Sequence, residues 1–294
     1  MAETGSIALS FADAIEARGG RVVCLAPWLQ SGGPRPPQTP RSNGLDADVE
    51  LTGLPYAAEC GQILEHEGEL CFLLPSMAAP HRRRERDVWG PAARALGLRL
   101  LELHEGLWEA QGDVAELHGR VLLFWGGRTD HAGMLAAARY FPADAIPVEV
   151  RQPAFHGNMA VLPLEAAGKL LVCPEVIAGD GLARLEVAFG ADAIVPVSVE
   201  EIRSYATNGL PVGREVLAPH LTPPRVLALM RSWGLGVVVL PMVELCEKAG
   251  GASRCLVSRA RVDDARIRVP VELDYRAQRA AIVAAGGEGS SGMV

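Results

Sequence analysis

The stretch AFGADAIVPVS, residues 188–198, combines the end of an amphipathic helix, a turn and a short apolar strand. Its turn glycine, Gly190, belongs to a series in which Gly97, Pro142, Gly190 and Gly234 follow one another at intervals of 45, 48 and 44 residues. The same pattern returns in four other places: ARGGRVVCLAP (17–27), ALGLRLLELHE (95–105), YFPADAIPVEV (140–150) and SWGLGVVVLPM (232–242). A period of this length indicates a repeated supersecondary unit.

Each repeated unit also has a second apolar strand, which lies before its helix. These strands are ELCFLLP (69–75), RVLLFWG (120–126), KLLVCPE (169–175), REVLAPH (214–220) and SRCLVSR (253–259). Amphipathic segments such as HAGMLAAARYF (131–141) and TPPRVLALMRSW (222–233) predict helices between the strands. Five such units close into a ring without exposed sheet edges. We therefore predict an α/β fold, a five-bladed propeller of ββαβ units with pseudo-fivefold symmetry.

The repeat also defines the domain organisation. No linker divides residues 1–261, which we interpret as a single domain carrying a Pro-rich insertion at 29–48. Residues 262–294 lie beyond the last repeat and predict a C-terminal extension. Its final segment, GGEGSSGMV (286–294), has the composition of a flexible tail.

Composition excludes several classes of function. The net charge of −7 and the scattered Lys and Arg residues argue against a nucleic-acid partner. No apolar run reaches the length of a membrane span, and no signal peptide is recognisable at the N-terminus. The six cysteines are far apart and form no CxxC pair, so we expect reduced thiols, a cytoplasmic location, and neither metal nor cofactor.

Equivalent loops of such a ring meet at one mouth of its axis. Those loops contain one chemically capable residue for each unit: Glu59, Glu109, His156, Asn208 and Cys255. A cysteine, a histidine and two carboxylates are the components of a nucleophile with its acid/base catalyst and an orienting group. We therefore predict that these five side chains line one site.

Five segments in the same order resemble the guanidino-modifying enzymes of the pentein superfamily, which include dimethylarginine dimethylaminohydrolases and amidinotransferases. The segments are WEAQGDV (108–114), GGRTDHAG (126–133), FHGNMAVLPL (155–164), SYATNGLPVGREVLAP (204–219) and LCEKAGGASRCLV (245–257). The resemblance covers about residues 50–261. It implies the pentein propeller fold and a small-molecule guanidino substrate.

The resemblance also implies roles for individual residues. Cys255 is the expected nucleophile, and His156 the proton shuttle. Glu109 either orients His156 or grips the guanidinium. The substrate-binding residues are expected to be Glu59, Arg82, Arg128, Asn158 and Asn208, with Arg82 and Arg128 binding a substrate carboxylate through their planar donor forks. Asp113 is expected to brace the turn that follows it.

Two departures from the family pattern leave the reaction open. The histidine motif contains Asn158 where many deiminases have Asp, and the early acidic position is Glu59. The expected activity is hydrolysis of a guanidino C–N bond in an arginine-like, N-substituted or unsubstituted substrate through a covalent Cys-thiouronium intermediate. The alternatives are an amidinotransferase that uses the same intermediate and a non-catalytic binding protein. A homodimer is compatible with the sequence.

Overall fold

Four three-stranded sheets form the framework of the computed structural model, which describes residues 2–24, 53–243, 245–246 and 250–287. In each sheet the first two strands form an antiparallel hairpin, and the third lies parallel to the second. The strands are β1 Gln62–His66, β2 Glu69–Leu73 and β3 Arg99–Leu101; β4 Val114–Leu117, β5 Arg120–Trp125 and β6 Ile146–Glu149; β7 Val161–Leu164, β8 Lys169–Val172 and β9 Ile194–Pro196; β10 Leu210–Val212, β11 Glu215–Pro219 and β12 Gly236–Leu240.

A helix joins the second and third strand of each sheet, as a parallel connection requires. These four helices are α2 Arg86–Ala95, α3 His131–Ala138, α5 Gly181–Phe189 and α7 Pro224–Ser232. Further helices are α1 Ala2–Glu16, α4 Gly157–Ala160, α6 Val199–Arg203 and α8 Tyr275–Gly287. The ββαβ unit predicted from the repeat is thus formed four times.

Local sequence explains the tight hairpins. The β1–β2 turn consists of Glu67 and Gly68, and the β4–β5 turn of His118 and Gly119, all with positive φ. Two-residue turns of this hand match the twist of paired strands and favour glycine at the second position. The apolar strands then pack together: all four residues of β7 are buried, and the largest core cluster spans the second, third and fourth sheets.

The fifth unit differs from the prediction. Residues 253–259 form turns and irregular backbone instead of the expected strand. Side chains hold this segment in place: Ser258 Oγ donates to the Gly61 carbonyl at 3.0 Å, and the Gln111 side chain bonds both the N–H and the C=O of Arg259. Such bonds from side chains satisfy the backbone locally and compete with a sheet ladder.

The predicted strand at 17–27 is also incomplete. Its described part contains one antiparallel bridge, Val23 with Asp274, and residues 25–27 lie outside the described residues. The predicted insertion 29–48 also lies outside them. The prediction of five blades therefore corresponds to four complete sheets and an irregular fifth unit.

The C-terminal extension packs onto the rest of the chain. Tyr275, at the start of α8, donates its hydroxyl to Asp13 Oδ1 of α1 at 2.9 Å, and Arg279 binds the same carboxylate at 2.7 Å. Leu273 is buried in a cluster with Phe72. Helix α8 continues to Gly287, so the first two residues of the predicted flexible tail are helical. No helix within the described ranges is long and apolar enough to span a membrane.

Candidate active site

The repeat brings the predicted site residues to one end of the sheets. Glu109, His156, Asn208 and Cys255 follow β3, β6, β9 and β12 respectively, and Glu59 precedes β1. All five residues are buried. A backbone hydrogen bond of 3.0 Å from Ala58 to the Cys255 carbonyl ties the turn that carries Glu59 to the fifth unit. The side chains form two groups, one acidic and one around the thiol.

His156 lies between carboxylates in the acidic group. Its Nε2 donates to Glu109 Oε2 at 2.7 Å, and its Nδ1 lies 3.7 Å from Glu59 Oε1. Asp113 Oδ2 is 4.0 Å from Nε2. Burial works against the charged imidazolium, but Asp113, Glu109 and Glu59 together outweigh it and raise the pKa of His156. The arrangement favours a protonated histidine, which is the form of a general acid.

Two hydrogen bonds hold Glu109 in place, one at its side chain and one at its backbone. The Ala78 N–H donates to its Oε1 at 2.9 Å, and its own N–H donates to Thr129 Oγ1 at 3.0 Å. Burial opposes its ionisation, yet the hydrogen bond and the charge of His156 hold the pKa of Glu109 below its usual value. Glu109 therefore stays a carboxylate oriented toward the imidazole.

Asp113 braces the histidine loop, 44 residues away, whereas the expectation was a contact with the turn that follows it. Its Oδ1 accepts the Gly157 N–H at 2.8 Å, and its Oδ2 accepts the Thr129 hydroxyl at 2.6 Å. Burial raises the pKa of Asp113 to about 6, against the influence of His156 and of these donors. Thr129 links Asp113 to Glu109; it lies in the segment GGRTDHAG, but no role was predicted for it.

Close packing explains a glycine in the QGD segment. A Cβ added at Gly112 would come within 3.1 Å of the His156 ring and 3.3 Å of Glu59 Cγ. Any larger residue would therefore displace the ring of His156 or the side chain of Glu59.

Neutral amides surround the thiol. Asn208 Nδ2 donates to Cys255 Sγ at 3.2 Å, and Asn158 Nδ2 lies 3.6 Å from it. The Oδ1 atoms of both amides are buried and have no hydrogen-bond partner within the described structure. Burial, then the charge of Glu59, raises the pKa of Cys255 to about 11, although the Asn208 donor lowers it. The resting thiol is therefore protonated.

His156 does not contact the thiol directly; no hydrogen bond joins it to Cys255 across the ranges that the structure describes. The cation next to Cys255 in sequence is Arg254, which is buried and donates to the Val161 carbonyl. Burial lowers the pKa of Arg254 to about 9, and its charge in turn stabilises the thiolate weakly. Sequence reasoning missed Arg254, because nothing marks this arginine as buried.

Arg82 is not available for its predicted role, the binding of a substrate carboxylate. Its Nε and Nη2 donate to the two oxygens of Glu85 at 2.7 and 2.8 Å, and its Nη1 donates to Glu59 Oε2 at 3.0 Å. Nη2 also bonds the carbonyls of Gly53 and Tyr56. With 5% of its side chain exposed, this guanidinium is occupied by the protein itself. The run HRRRE gave no sign that one of its arginines is enclosed.

Arg128 lies at the rim of the site. Its side chain is 38% exposed, with Nη1 3.8 Å from Glu109 Oε2. Its guanidinium carbon lies 4.6 Å from the centre of the Phe155 ring, a distance typical of a cation–π contact. This arginine is oriented by Phe155 and remains accessible. In the part of the chain described here, no group of three or more His, Cys, Asp or Glu residues is arranged to hold a metal ion.

No protein-family model and no curated protein sequence matches this chain. Solved structures do. The N-terminal domain of ArgZ bound to product, an arginine dihydrolase from the ornithine–ammonia cycle in cyanobacteria, superposes with a TM-score of 0.63 at 19% identity, over 69% of this chain and 74% of that one. Dimethylarginine dimethylaminohydrolase, as an adduct with S-methyl-L-thiocitrulline, gives 0.53 at 20% identity, over 69% and 75%.

The chain has the pentein fold. This confirms the fold class predicted from the repeat and the motifs. Unliganded AgrE shares the fold, with a TM-score of 0.63 and 19% identity over 74% of this chain, which spans only 32% of the AgrE chain. At these identities the comparison establishes the pentein architecture, and the chemistry has to be argued from the side chains.

Proposed function

We propose that this pentein is a cysteine-dependent hydrolase that cleaves a C–N bond in the guanidino group of an arginine-like substrate. The observation that supports it most is the set of acceptors around Cys255. Among the described residues, the Oδ1 atoms of Asn158 and Asn208 are buried without donors, and Glu59, whose charge acts on Cys255, has its Oε1 3.7 Å from His156 Nδ1. A guanidinium is a flat cation with N–H donors at its edge and no acceptor, so it supplies what these atoms lack.

Substrate binding then activates the thiol. At rest, burial and Glu59 keep Cys255 protonated, with a pKa of about 11. A cation bound beside Sγ favours the charged form and lowers the pKa of the thiol. The thiol proton leaves to solvent, and the thiolate is generated only where a guanidinium is present to be attacked.

His156 supplies the proton that the leaving amine needs. Sγ bonds to the guanidinium carbon while the C–N bond breaks, and the departing nitrogen takes a proton from Nδ1 of His156. Its Nε2 stays bound to Glu109. A water molecule then gives a proton back to Nδ1 as its oxygen attacks the thiouronium carbon. The C–S bond then breaks while the second proton of that water leaves to solvent, which releases the neutral ureido product and restores the thiolate.

The relatives with this fold are consistent with such chemistry. The N-terminal domain of ArgZ has been solved covalently bound to a reaction intermediate, and a cysteine-to-serine variant of it has been solved bound to substrate. In the present chain, the exposed guanidinium of Arg128 is placed to bind the carboxylate of an amino-acid substrate. The neutral amide of Asn158 demands fewer N–H donors than a carboxylate, so an alkylated guanidine nitrogen is tolerated.

Product analysis tests the proposal. Purified protein is incubated with arginine and with methylated arginines, with and without glycine as an amine acceptor, and the Cys255→Ser variant is the control. We expect an ureido product without added amine, and an adduct on Cys255 in the intact-protein mass. Turnover that requires the amine and yields a new guanidine would identify an amidinotransferase instead. If no guanidine is turned over and none forms an adduct, the protein is a non-catalytic binding protein.

A further inference from the structure

Glu59 is held from behind by a buried ion pair. Arg82 donates to both oxygens of Glu85 through Nε and Nη2, and its Nη1 donates to Oε2 of Glu59 at 3.0 Å. Among the described residues, Oε1 of Glu59 accepts no hydrogen bond, and it lies 3.7 Å from Nδ1 of His156. Two planar groups joined by parallel N–H···O bonds fix direction as well as distance, so the Arg82–Glu85 pair determines which oxygen of Glu59 faces the site.

The surrounding backbone closes around this pair. The carbonyls of Gly53 and Tyr56 accept from Nη2 of Arg82. A Cβ at Gly53 would lie 2.2 Å from Glu85 Oε1 and 2.4 Å from Arg82 Nε, so only glycine fits there. Glu85 itself is fully buried. An external carboxylate could reach Arg82 only by displacing Glu85 or Glu59, each of which would be left as a buried, unpaired charge.

We propose that Arg82 and Glu85 are a positioning pair, which holds Glu59 with Oε1 turned toward the bound guanidinium, and that Arg82 takes no part in recognising the substrate's carboxylate. The kinetic consequences rest on the proposed hydrolase function. The geometry of the pair and its effect on Glu59 do not, and they can be measured without any substrate. In this arrangement Arg128 alone of the two predicted arginines binds the carboxylate.

The two members of the pair should shift the pKa of Glu59 in opposite directions, which can be measured. Burial raises the pKa of Glu59, whereas His156 and Arg82 oppose that rise and Glu109 adds to it. Other titratable groups near Glu59 include Glu85, which shares the guanidinium of Arg82 with it, and Tyr56, Cys60 and Cys255. Arg82→Gln removes a cation and should raise the pKa of Glu59 further. Glu85→Gln removes an anion from the same pocket and should lower it.

Kinetics with two guanidines separates positioning from carboxylate binding. Arginine and agmatine, its decarboxylated form, are compared in Arg82→Gln, Arg128→Ala and the control Arg86→Ala, which breaks an exposed ion pair with Glu102. We expect Arg82→Gln to lower kcat/KM about 100-fold for both substrates, the size of effect that a misplaced binding group produces. Arg128→Ala should raise KM for arginine only, and Arg86→Ala should change neither.

A titration without substrate completes the test. The carboxyl of Glu59 is followed by ¹³C NMR in protein labelled at glutamate, with its signal assigned by its loss in Glu59→Gln. We expect its midpoint to move up by about one pH unit in Arg82→Gln, down in Glu85→Gln, and not at all in Arg86→Ala. If Arg82→Gln does not fold, the titration uses Glu85→Gln instead. The kinetics then uses Arg82→Lys, which keeps the charge but loses the planar donor fork.

Two results would overturn the proposal. One is a loss in the Arg82 variant that is confined to arginine and spares agmatine. The other is a Glu59 titration that does not respond to Arg82→Gln or, where that variant is unfolded, to Glu85→Gln. A wild-type protein that turns over no guanidine refutes the hydrolase function, while the titration still decides the role of the pair.

Discussion

The acidic side of the site and its thiol side are built in opposite ways. On the acidic side His156 is surrounded by Glu59, Glu109 and Asp113, and charge is compensated by charge. On the thiol side, the side chains that hydrogen-bond Cys255 within the described residues are the neutral amides of Asn158 and Asn208. Under the proposed function, this difference means that His156 is already protonated before substrate binds, whereas Cys255 ionises only beside a bound cation.

The largest effect should come from the thiol itself. Cys255→Ser should reduce turnover of the preferred guanidine by about 10⁴-fold or more, since removal of a covalent nucleophile leaves only binding and electrostatic effects. Steady-state kinetics measures the loss, and thermal unfolding checks the fold. Cys60→Ala is the control, because that buried thiol also lies close to Glu59. Comparable losses in the two variants would contradict the assignment of Cys255.

On the acidic side, Glu109→Gln should lower kcat by about 10² to 10³-fold, the usual contribution of general acid catalysis. It should also move the basic limb of the pH–rate profile. His156 acts as an acid while protonated, so activity is lost as pH rises through its pKa, which Glu109 helps to raise. The limb should therefore shift to lower pH. Glu105→Gln, an exposed carboxylate nearby in the chain, provides the comparison; an unmoved limb in Glu109→Gln would contradict the pairing.

A smaller effect is expected from the amides. Asn208→Ala removes the 3.2 Å donor to Sγ and should raise the pKa of Cys255 further, because that donor lowers it. The rate of alkylation by iodoacetamide at pH 8 should fall about tenfold, which corresponds to one hydrogen bond to a charged group. Asn158→Ala, at 3.6 Å, should slow the reaction less. The reverse order would mean that Asn158 is the principal donor.

The smallest change concerns stability on the acidic side. Asp113 has a pKa of about 6 in the folded protein, against about 3.9 when unfolded. The folded state therefore holds its proton more tightly, and stability falls as pH rises from about 4 to 6. Asp113→Asn should remove about 1–2 kcal/mol of this pH dependence. Urea unfolding at pH 4 and 6 measures it, and parallel curves for wild type and variant would exclude an ionising Asp113.

Sequence patterns predicted the framework because it depends on apolar periodicity. The runs at 120–126 and 169–175 became β5 and β8, and the turn glycines set the unit length correctly. The segment 253–259 was misjudged, because an apolar run such as CLV has the same composition in a strand and in a buried turn. Whether it pairs depends on partners from distant parts of the chain.

The sequence predicted which residues come together at the candidate site better than it predicted the contacts between them. Convergence of Glu109, His156 and Cys255 follows from equivalent positions in the repeat. The enclosure of Arg82 by Glu85 could not be predicted, since a basic run next to acidic residues is usually solvated. Burial distinguishes these two outcomes, and burial is decided by the three-dimensional packing of Gly53 and its surroundings.

The contact between α1 and α8 has a consequence for the order of folding. Asp13 and Tyr275 are joined by a hydrogen bond across 262 residues of chain, whereas each hairpin, such as β1 with β2, pairs residues a few positions apart. Local pairings form early, while a contact of long sequence separation has to overcome the entropy of closing the whole loop. We therefore expect the four sheets to assemble first. The contact between α1 and α8 should form last. Hydrogen exchange should show that it opens before the sheets do.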